Sequence, residues 1–293
     1  MAIIRTTYSQ RLAQLRTNNM RLGRDLARAQ EEASTGLRVS RASDDAGLTT
    51  RLAQLREQQD DQQVYADNAE WAMGILDVAD GALTDLAGAL SEATSLAVQM
   101  SNETYTNAER QRAANVAAGI LDRVLQSANA TFGDRYIFAG DAYDAAAFDA
   151  TGAYQGDAGE PDVPVGEGTD AQIGWDGSDL LQGTNDIIGA FSSLVANLTT
   201  GTSVAVRSSI DDLDLALDQL SEARSRVANE FIVAEDAKDL TVSLDLQLTA
   251  QLSADTEVDA AESYARLFEV QAAFEAALQV TAQSRSNLLF TRI

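Results

Sequence analysis

The residues Tyr8, Leu12, Leu15, Asn19, Leu22, Leu26, Ala29 and Ala33 follow one another at alternating steps of four and three, the 3.5-residue period of a coiled-coil seam. Arg11, Arg16, Arg21, Arg24 and Arg28 flank this seam, and Asn19 is a polar residue set in it, where it can fix register at some cost in stability. A simple amphipathic helix laid on a globular core has similar spacing. Gly36 breaks the pattern.

A second helix is predicted from the short polar run Ser43-Asp44-Asp45, which suits an N-cap and the positive end of a helix dipole. Its apolar line runs Leu48, Leu52, Leu55, Gln59, Gln62, Ala66, Ala69, Met73, Leu76, then drifts to Ala79, Leu83, Leu86, Leu90, Ala93, Ala97 and Met100. Unbroken, such a helix would span roughly 80 Å at 1.5 Å per residue, so it needs partner helices. Gly74, Gly81 and Gly88 predict some bending. Thr106-Asn-Ala-Glu109 reads as a capping box opening a third helix, whose apolar face is Ala113, Ala117, Ile120, Leu121, Val124, Leu125 and Ala128.

Between Arg135 and Arg207 the texture changes: there is no basic residue, and 11 of the 19 glycines and both prolines fall in 140–201. Short apolar groups at Tyr136-Ile-Phe138, Phe148, Tyr154, Val163-Pro-Val165, Ile173-Gly-Trp175 and Leu180-Leu181 are separated by turn residues, the pattern of a small β-rich insert. Helical spacing returns at Ile210, Leu213, Leu217, Leu220, Val227, Phe231 and Ala234. From Leu240 to Leu248 apolar residues alternate at period two, which locally reads as a strand. Without turn signals, and inside a helical arm, the segment is predicted to remain helix. Thr256-Glu-Val-Asp259 suits a cap for a last helix with the stripe Leu267, Val270, Phe274, Ala277, Thr281, Ser284 and Leu288.

Composition narrows the chemistry. The chain has 293 residues with neither histidine nor cysteine, which removes Ser-His-Asp and Cys-His nucleophile systems, disulfides and the usual zinc sites. Carboxylate-only or Mg²⁺-dependent chemistry survives that argument. The net charge of −24 is uneven, because residues 1–41 carry eight Arg against Asp25, Glu31 and Glu32. The acidic body repels nucleic acid, so none is expected as a partner. Residues 255–293 hold six acids against three Arg, which makes a basic first helix and an acidic last helix complementary. No apolar run approaches a membrane span, and Met1 to Gln30 lacks the apolar centre of a signal peptide, so any export is expected without a cleaved signal.

Thr35-Gly-Leu-Arg-Val-Ser-Arg-Ala-Ser-Asp-Asp45, Tyr65-Ala-Asp-Asn68 and Leu96-Ala-Val-Gln99 with Asn102-Glu-Thr104 resemble motifs of the flagellin superfamily. Ala128-Asn129, then Arg135, Tyr136, Ile137, Phe138, Ala139 and Gly140, with Phe148 and Tyr154-Gln-Gly-Asp157, are similar to its hook-filament junction branch, where flagellins usually carry an FNG-containing segment. Leu252-Ser253, Val258-Asp259 and Ala261-Glu262 also fit. Ala46 departs from the proline that often follows the SDD run, and Asn287 to Ile293 fits neither branch closely.

The resemblance implies a mainly α, flagellin-like fold in which long terminal helices form a coiled-coil and helical-bundle core around a small β-rich inserted domain. It implies a terminal coiled-coil assembly domain (1–40 with 253–293), a helical bundle domain (41–137 with 206–252) and a β-rich outer domain (138–205). Tyr8, Leu12, Leu15, Asn19, Leu22, Leu26, Leu267, Val270, Phe274 and Leu288 would form the assembly seam. The function implied is that of a structural subunit joining FlgK to the flagellin filament, exported unfolded by the flagellar type III apparatus. Its partners would be copies of itself, FlgK, flagellin and an export chaperone of the FlgN type, with no cofactor, metal or membrane insertion.

A flagellin forming the filament itself is the nearest alternative, and a secreted helical adhesin or enzyme a more distant one. Gly166-Glu-Gly168-Thr-Asp-Ala171 partly matches a dinucleotide fingerprint but lacks the βαβ context. Asp141, Asp144, Asp157 and Asp162 show no EF-hand or RTX spacing and read better as a solvated acidic surface. The sequons at Asn102, Asn129 and Asn197 are too common a pattern to carry weight.

Overall fold

A computed structural model describes residues 8–38 and 45–290. They form two compact units, one from the described residues within 1–59 and 246–293 and one from 60–245. The mainly α class with a small β region, expected from the sequence, is the class observed.

The first unit contains α1 (Tyr8–Thr35), the start of α2 (Ala46–Met100), the end of α6 (Ser203–Thr256) and α7 (Ala260–Phe290). Gly36 ends α1 with a left-handed φ of 70°, the conformation that glycine enters at least cost. The chain then pairs briefly with the α6–α7 connection. Leu37 bridges Glu257, Val258 N–H donates to the Gly36 carbonyl at 2.9 Å, and Arg38 N–H donates to the Thr256 carbonyl at 2.8 Å. The Asp45 carboxylate caps α2 by accepting from Leu48 N–H at 2.9 Å; Ser43 and Asp44 lie outside the described residues. Asp259, rather than Thr256, caps α7, accepting from Ala261 N–H at 2.7 Å, because Thr256 is still the last residue of α6.

The second unit is built on the rest of α2 and α6 with α3 (Asn107–Ala128) and α5 (Ile187–Thr200). The α2 positions Ala69, Leu76, Ala79, Leu83, Leu86, Leu90, Ala93, Ala97 and Met100 are buried, so the drifting seam is the core face. Ile120, Val124, Phe191, Leu194, Leu213 and Leu220 enter the same core. Arg224–Asp80 and Lys238–Glu70 ion pairs follow the antiparallel run of α6 along α2, and an Arg123–Glu92 pair links α3 to α2. The capping box at Thr106 and Glu109 forms in both directions. Hydrogen bonds from the Thr106 backbone and side chain hold the Glu109 carboxyl below its usual range.

Residues 240–248 are helical, within α6. The alternation carries no burial: Thr241 is buried while Leu240, Val242 and Leu246 are exposed.

The insert, expected to be small and β-rich, combines strands with helices. Hairpin β1 (Thr131–Phe132) with β2 (Arg135–Tyr136) precedes it, and within it lie hairpin β3 (Asp162–Gly166) with β4 (Thr169–Gln172) and two helices, α4 (Gly177–Gln182) and α5. Val163-Pro-Val165 is in a strand as expected, but Leu180-Leu181 belongs to α4. Asp176 and Asp186 supply the N-caps, and Ile187, Phe191, Leu194 and Leu198 form the buried face of α5. Turn-forming Gly and Asp between short apolar groups concealed these two helices.

Candidate assembly surface

Helices α1 and α7 pack antiparallel in the first unit. The Asn19 Nδ2 donates to the Thr281 hydroxyl at 3.0 Å, and Phe274 lies against Gly23, where an added Cβ would meet its ring at 3.6 Å. Leu15, Asn19, Leu22, Leu26 and Ala33 are half-buried along α1 and Ala29 is buried; Leu267, Val270, Phe274, Ala277 and Thr281 are half-buried along α7. These described positions lie along the side on which α1 and α7 meet. Tyr8, Leu12, Ser284 and Leu288 have side chains outside the described residues.

The seam is thin. Two helices burying a single stripe each leave most side chains in water, and much of that outer surface is apolar here: Met20 is 70%, Phe268 67% and Val280 53% exposed. Glu32 is buried at the edge of the seam and forms ion pairs with Arg28 on its own helix and Arg266 on α7, at 3.3 and 3.7 Å. The Asn19 Oδ1 is buried without a hydrogen bond, a cost of the kind that polar seam residues accept to fix register.

In the second unit, Arg135 to Gly140 form a corner. The Arg135 guanidinium lies over the Tyr143 ring at 3.9 Å and near Trp71 at 5.9 Å. Ile137, Phe138 and Ala139 are buried, and Phe138 packs on Trp175 with ring centroids 6.4 Å apart. Gly140 has φ of 69°, and a Cβ there would fall 2.3 Å from Asp157 Oδ1. That carboxylate accepts from Asp141 N–H at 2.7 Å and Gly159 N–H at 3.0 Å. Asn129 clasps Phe148, its Nδ2 donating to the carbonyl at 2.8 Å and its Oδ1 accepting the N–H at 2.9 Å. The Tyr154 hydroxyl donates to the Asp157 carbonyl at 2.8 Å and accepts from Gly177 N–H at 3.2 Å; burial pushes its pKa up to about 12. The motif thus packs and hydrogen-bonds this corner together.

Gly166 and Gly168 form the β3–β4 turn rather than a phosphate loop. Among the described residues, no cluster of three Asp or Glu is placed to hold a metal ion, and no helix is long and apolar enough to cross a membrane.

Arg110 gave no signal in the sequence beyond being one base in α3. It is 4% exposed and donates to the carbonyls of Met100, Asn102 and Gly201 at 3.0, 2.9 and 3.2 Å. A cation is favourable where helices α2 and α5 end, because their last carbonyls carry the negative end of the dipole.

Comparison with known proteins agrees with this architecture. Residues 6–142 match the bacterial flagellin N-terminal helical region. Flagellar hook-associated protein 3 of Salmonella typhimurium is 34% identical over 128 residues, covering 43% of this chain and 40% of that protein. A Clostridium tyrobutyricum flagellin is 31% identical over 105 residues, covering 36% and 28%. The crystal structure of Bacillus cereus FlgL shares the fold, with a TM-score of 0.58 at 20% identity over 70% of this chain and 100% of that one. Over residues 6–142 the chain is thus similar to the flagellins. Part of its sequence is similar to hook-associated protein 3, and its fold is similar to that of FlgL. It spans about two fifths of the length of the hook-associated protein it matches.

Proposed function

We propose that this chain is a structural, non-enzymatic subunit of the bacterial flagellum that joins FlgK to the flagellin filament. The observation that carries this reading is the α1–α7 hairpin, closed by one apolar seam and leaving Met20, Tyr264, Phe268 and Leu278 exposed around it. A helix pair of this kind is completed by neighbours. The likeness to hook-associated protein 3 supports the junction role over that of the filament subunit.

In this reading, 1–40 with 253–293 form the assembly domain, 41–137 with 206–252 the surrounding bundle, and 138–205 the outer domain. Copies of the chain, FlgK and flagellin are its partners at the hook-filament junction. Export proceeds unfolded with a chaperone of the FlgN type and without a cleaved signal. Deletion of the gene followed by electron microscopy tests the role. Hooks without filaments, with flagellin shed into the medium, are expected; filaments that persist would sink the junction reading and favour a filament subunit.

A further inference from the structure

One cation of the second unit lacks the kind of partner that its counterparts have. Among the buried and half-buried basic residues of 60–245, Arg110 donates to three carbonyls, Arg226 pairs with Glu160 and Asp179, and Lys238 pairs with Glu70. Arg135 is half-buried too, yet it forms no ion pair and no hydrogen bond with a described residue. Its contacts are two rings, Tyr143 at 3.9 Å and Trp71 at 5.9 Å. Rings engage the flat face of a guanidinium and leave its N–H donors without an acceptor. A cation partly withdrawn from water without a counter-charge is stabilised when an anion arrives, and a carboxylate matches the guanidinium fork with two parallel hydrogen bonds.

The surface beside Arg135 narrows the anion. Trp71 is 37% exposed, and Val64, two turns earlier on the same side of α2, is 56% exposed. Asn68 lies between them on that side and donates to the Pro164 carbonyl at 2.8 Å, so β3 borders the patch. Arg, Trp and Tyr together are the composition of a protein-recognition hot spot. Asp67, Glu70, Asp134 and Asp144 are exposed nearby in the sequence, and the net charge of the chain is −24. Nucleic acid, an anionic membrane or a run of acids is therefore repelled. A single carboxylate carried beside an apolar side chain gains the Arg135 fork and the Trp71 surface at the least repulsion.

We propose that Arg135, Tyr143, Trp71 and Val64 form a docking site for a segment of another protein that presents one Asp or Glu next to an aromatic or aliphatic residue. The guanidinium takes the carboxylate, and Trp71 with Val64 takes the apolar side chain. The site lies within 60–245 and depends neither on the junction role nor on the α1–α7 seam.

The full-length chain has two tryptophans, and their indole N–H resonances read the site during titration with the capped tetrapeptides Gly-Glu-Phe-Gly and Gly-Gln-Phe-Gly. The Glu peptide should shift Trp71 saturably and leave the fully buried Trp175 in place; the Gln peptide should bind several-fold more weakly. Binding of the Glu peptide should fall several-fold in about 0.5 M salt, where screening reaches only roughly 4 Å. R135M should abolish the Trp71 shift while circular dichroism and the Trp175 resonance stay unchanged, and R135K, which keeps the charge without the planar fork, should weaken it. V64E and V64R change an exposed α2 position and leave Arg135 intact, so they decide the matter if R135M does not fold. V64E should weaken the Glu peptide and V64R strengthen it. Equal binding of the two peptides, full binding by R135M, or no difference between V64E and V64R would each overturn the site. So would equal competition by inorganic phosphate, which marks an unselective anion site, or a Trp71 shift on concentrating the chain alone, which makes a second copy the occupant.

Discussion

Asn19 and Thr281 meet across the α1–α7 seam at 3.0 Å, 262 positions apart in the chain, and the buried Oδ1 of Asn19 has no hydrogen-bond partner. An apolar residue of similar size removes that unsatisfied acceptor, at the loss of one neutral hydrogen bond. N19L should therefore stabilise the hairpin by about 1 kcal/mol while admitting registers that the polar pair excludes. Thermal denaturation followed by circular dichroism reads the first effect. Cross-linking between cysteines placed at Gly23 and Phe274 reads the second. A lower melting temperature would contradict the assignment of Asn19 as a register residue bought at the expense of stability.

Gly140 combines a left-handed backbone with direct contact to Asp157. G140A forces a Cβ into the carboxylate and backbone carbonyl of Asp157, and should destabilise the chain by about 2 kcal/mol or more. Urea denaturation checks this. D157N, which keeps an acceptor for Asp141 and Gly159, should cost less.

The glycines of α2 separate by environment. A Cβ at Gly74 would meet the Phe132 ring at 3.2 Å, whereas at Gly81 and Gly88 it would meet nothing within 4 Å. G81A and G88A should each stabilise the isolated chain by roughly 0.5–1 kcal/mol through helix propensity. G74A should gain less or lose stability, as the Phe132 ring must give way. Equal gains at all three positions would refute the Phe132 contact.

Arg110 holds three carbonyls from two turns. R110M keeps the aliphatic stem and leaves those carbonyls unpaired, for an expected loss of about 3 kcal/mol. Amide hydrogen exchange should accelerate most in 100–106 and near 201.

The capping box has a pH signature. The Glu109 carboxyl is held below its ordinary value of 4.5, so its contribution is present above that pH and is lost as pH falls through the lower folded-state value. E109Q should flatten the acid limb of the stability curve. T106A should cost about 1 kcal/mol at neutral pH.

The helices were legible because their partners are recorded as spacing. Leu76, Leu83 and Leu90 recur every seven positions and are all buried. The insert was less legible because its order comes from distant partners. Asn129 is satisfied by Phe148, and Gln219 on α6 by the Asp179 and Leu180 carbonyls of α4. Neither distance is visible in local pattern. Leu240 and Thr241 show the opposite failure, since side-chain polarity alone would have buried the wrong one.

The wide separation of Asn19 and Thr281 also sets an order of folding. Closing a loop of 262 positions costs entropy that rises with the logarithm of its length. Once 60–245 is compact, the effective loop is shorter and the closure easier by roughly 1 kcal/mol. The hairpin contacts are highly non-local, and contacts of that kind form late. The terminal helices are then the last part to close and the first to open, which leaves them free to be captured by a growing structure after the remainder has already folded.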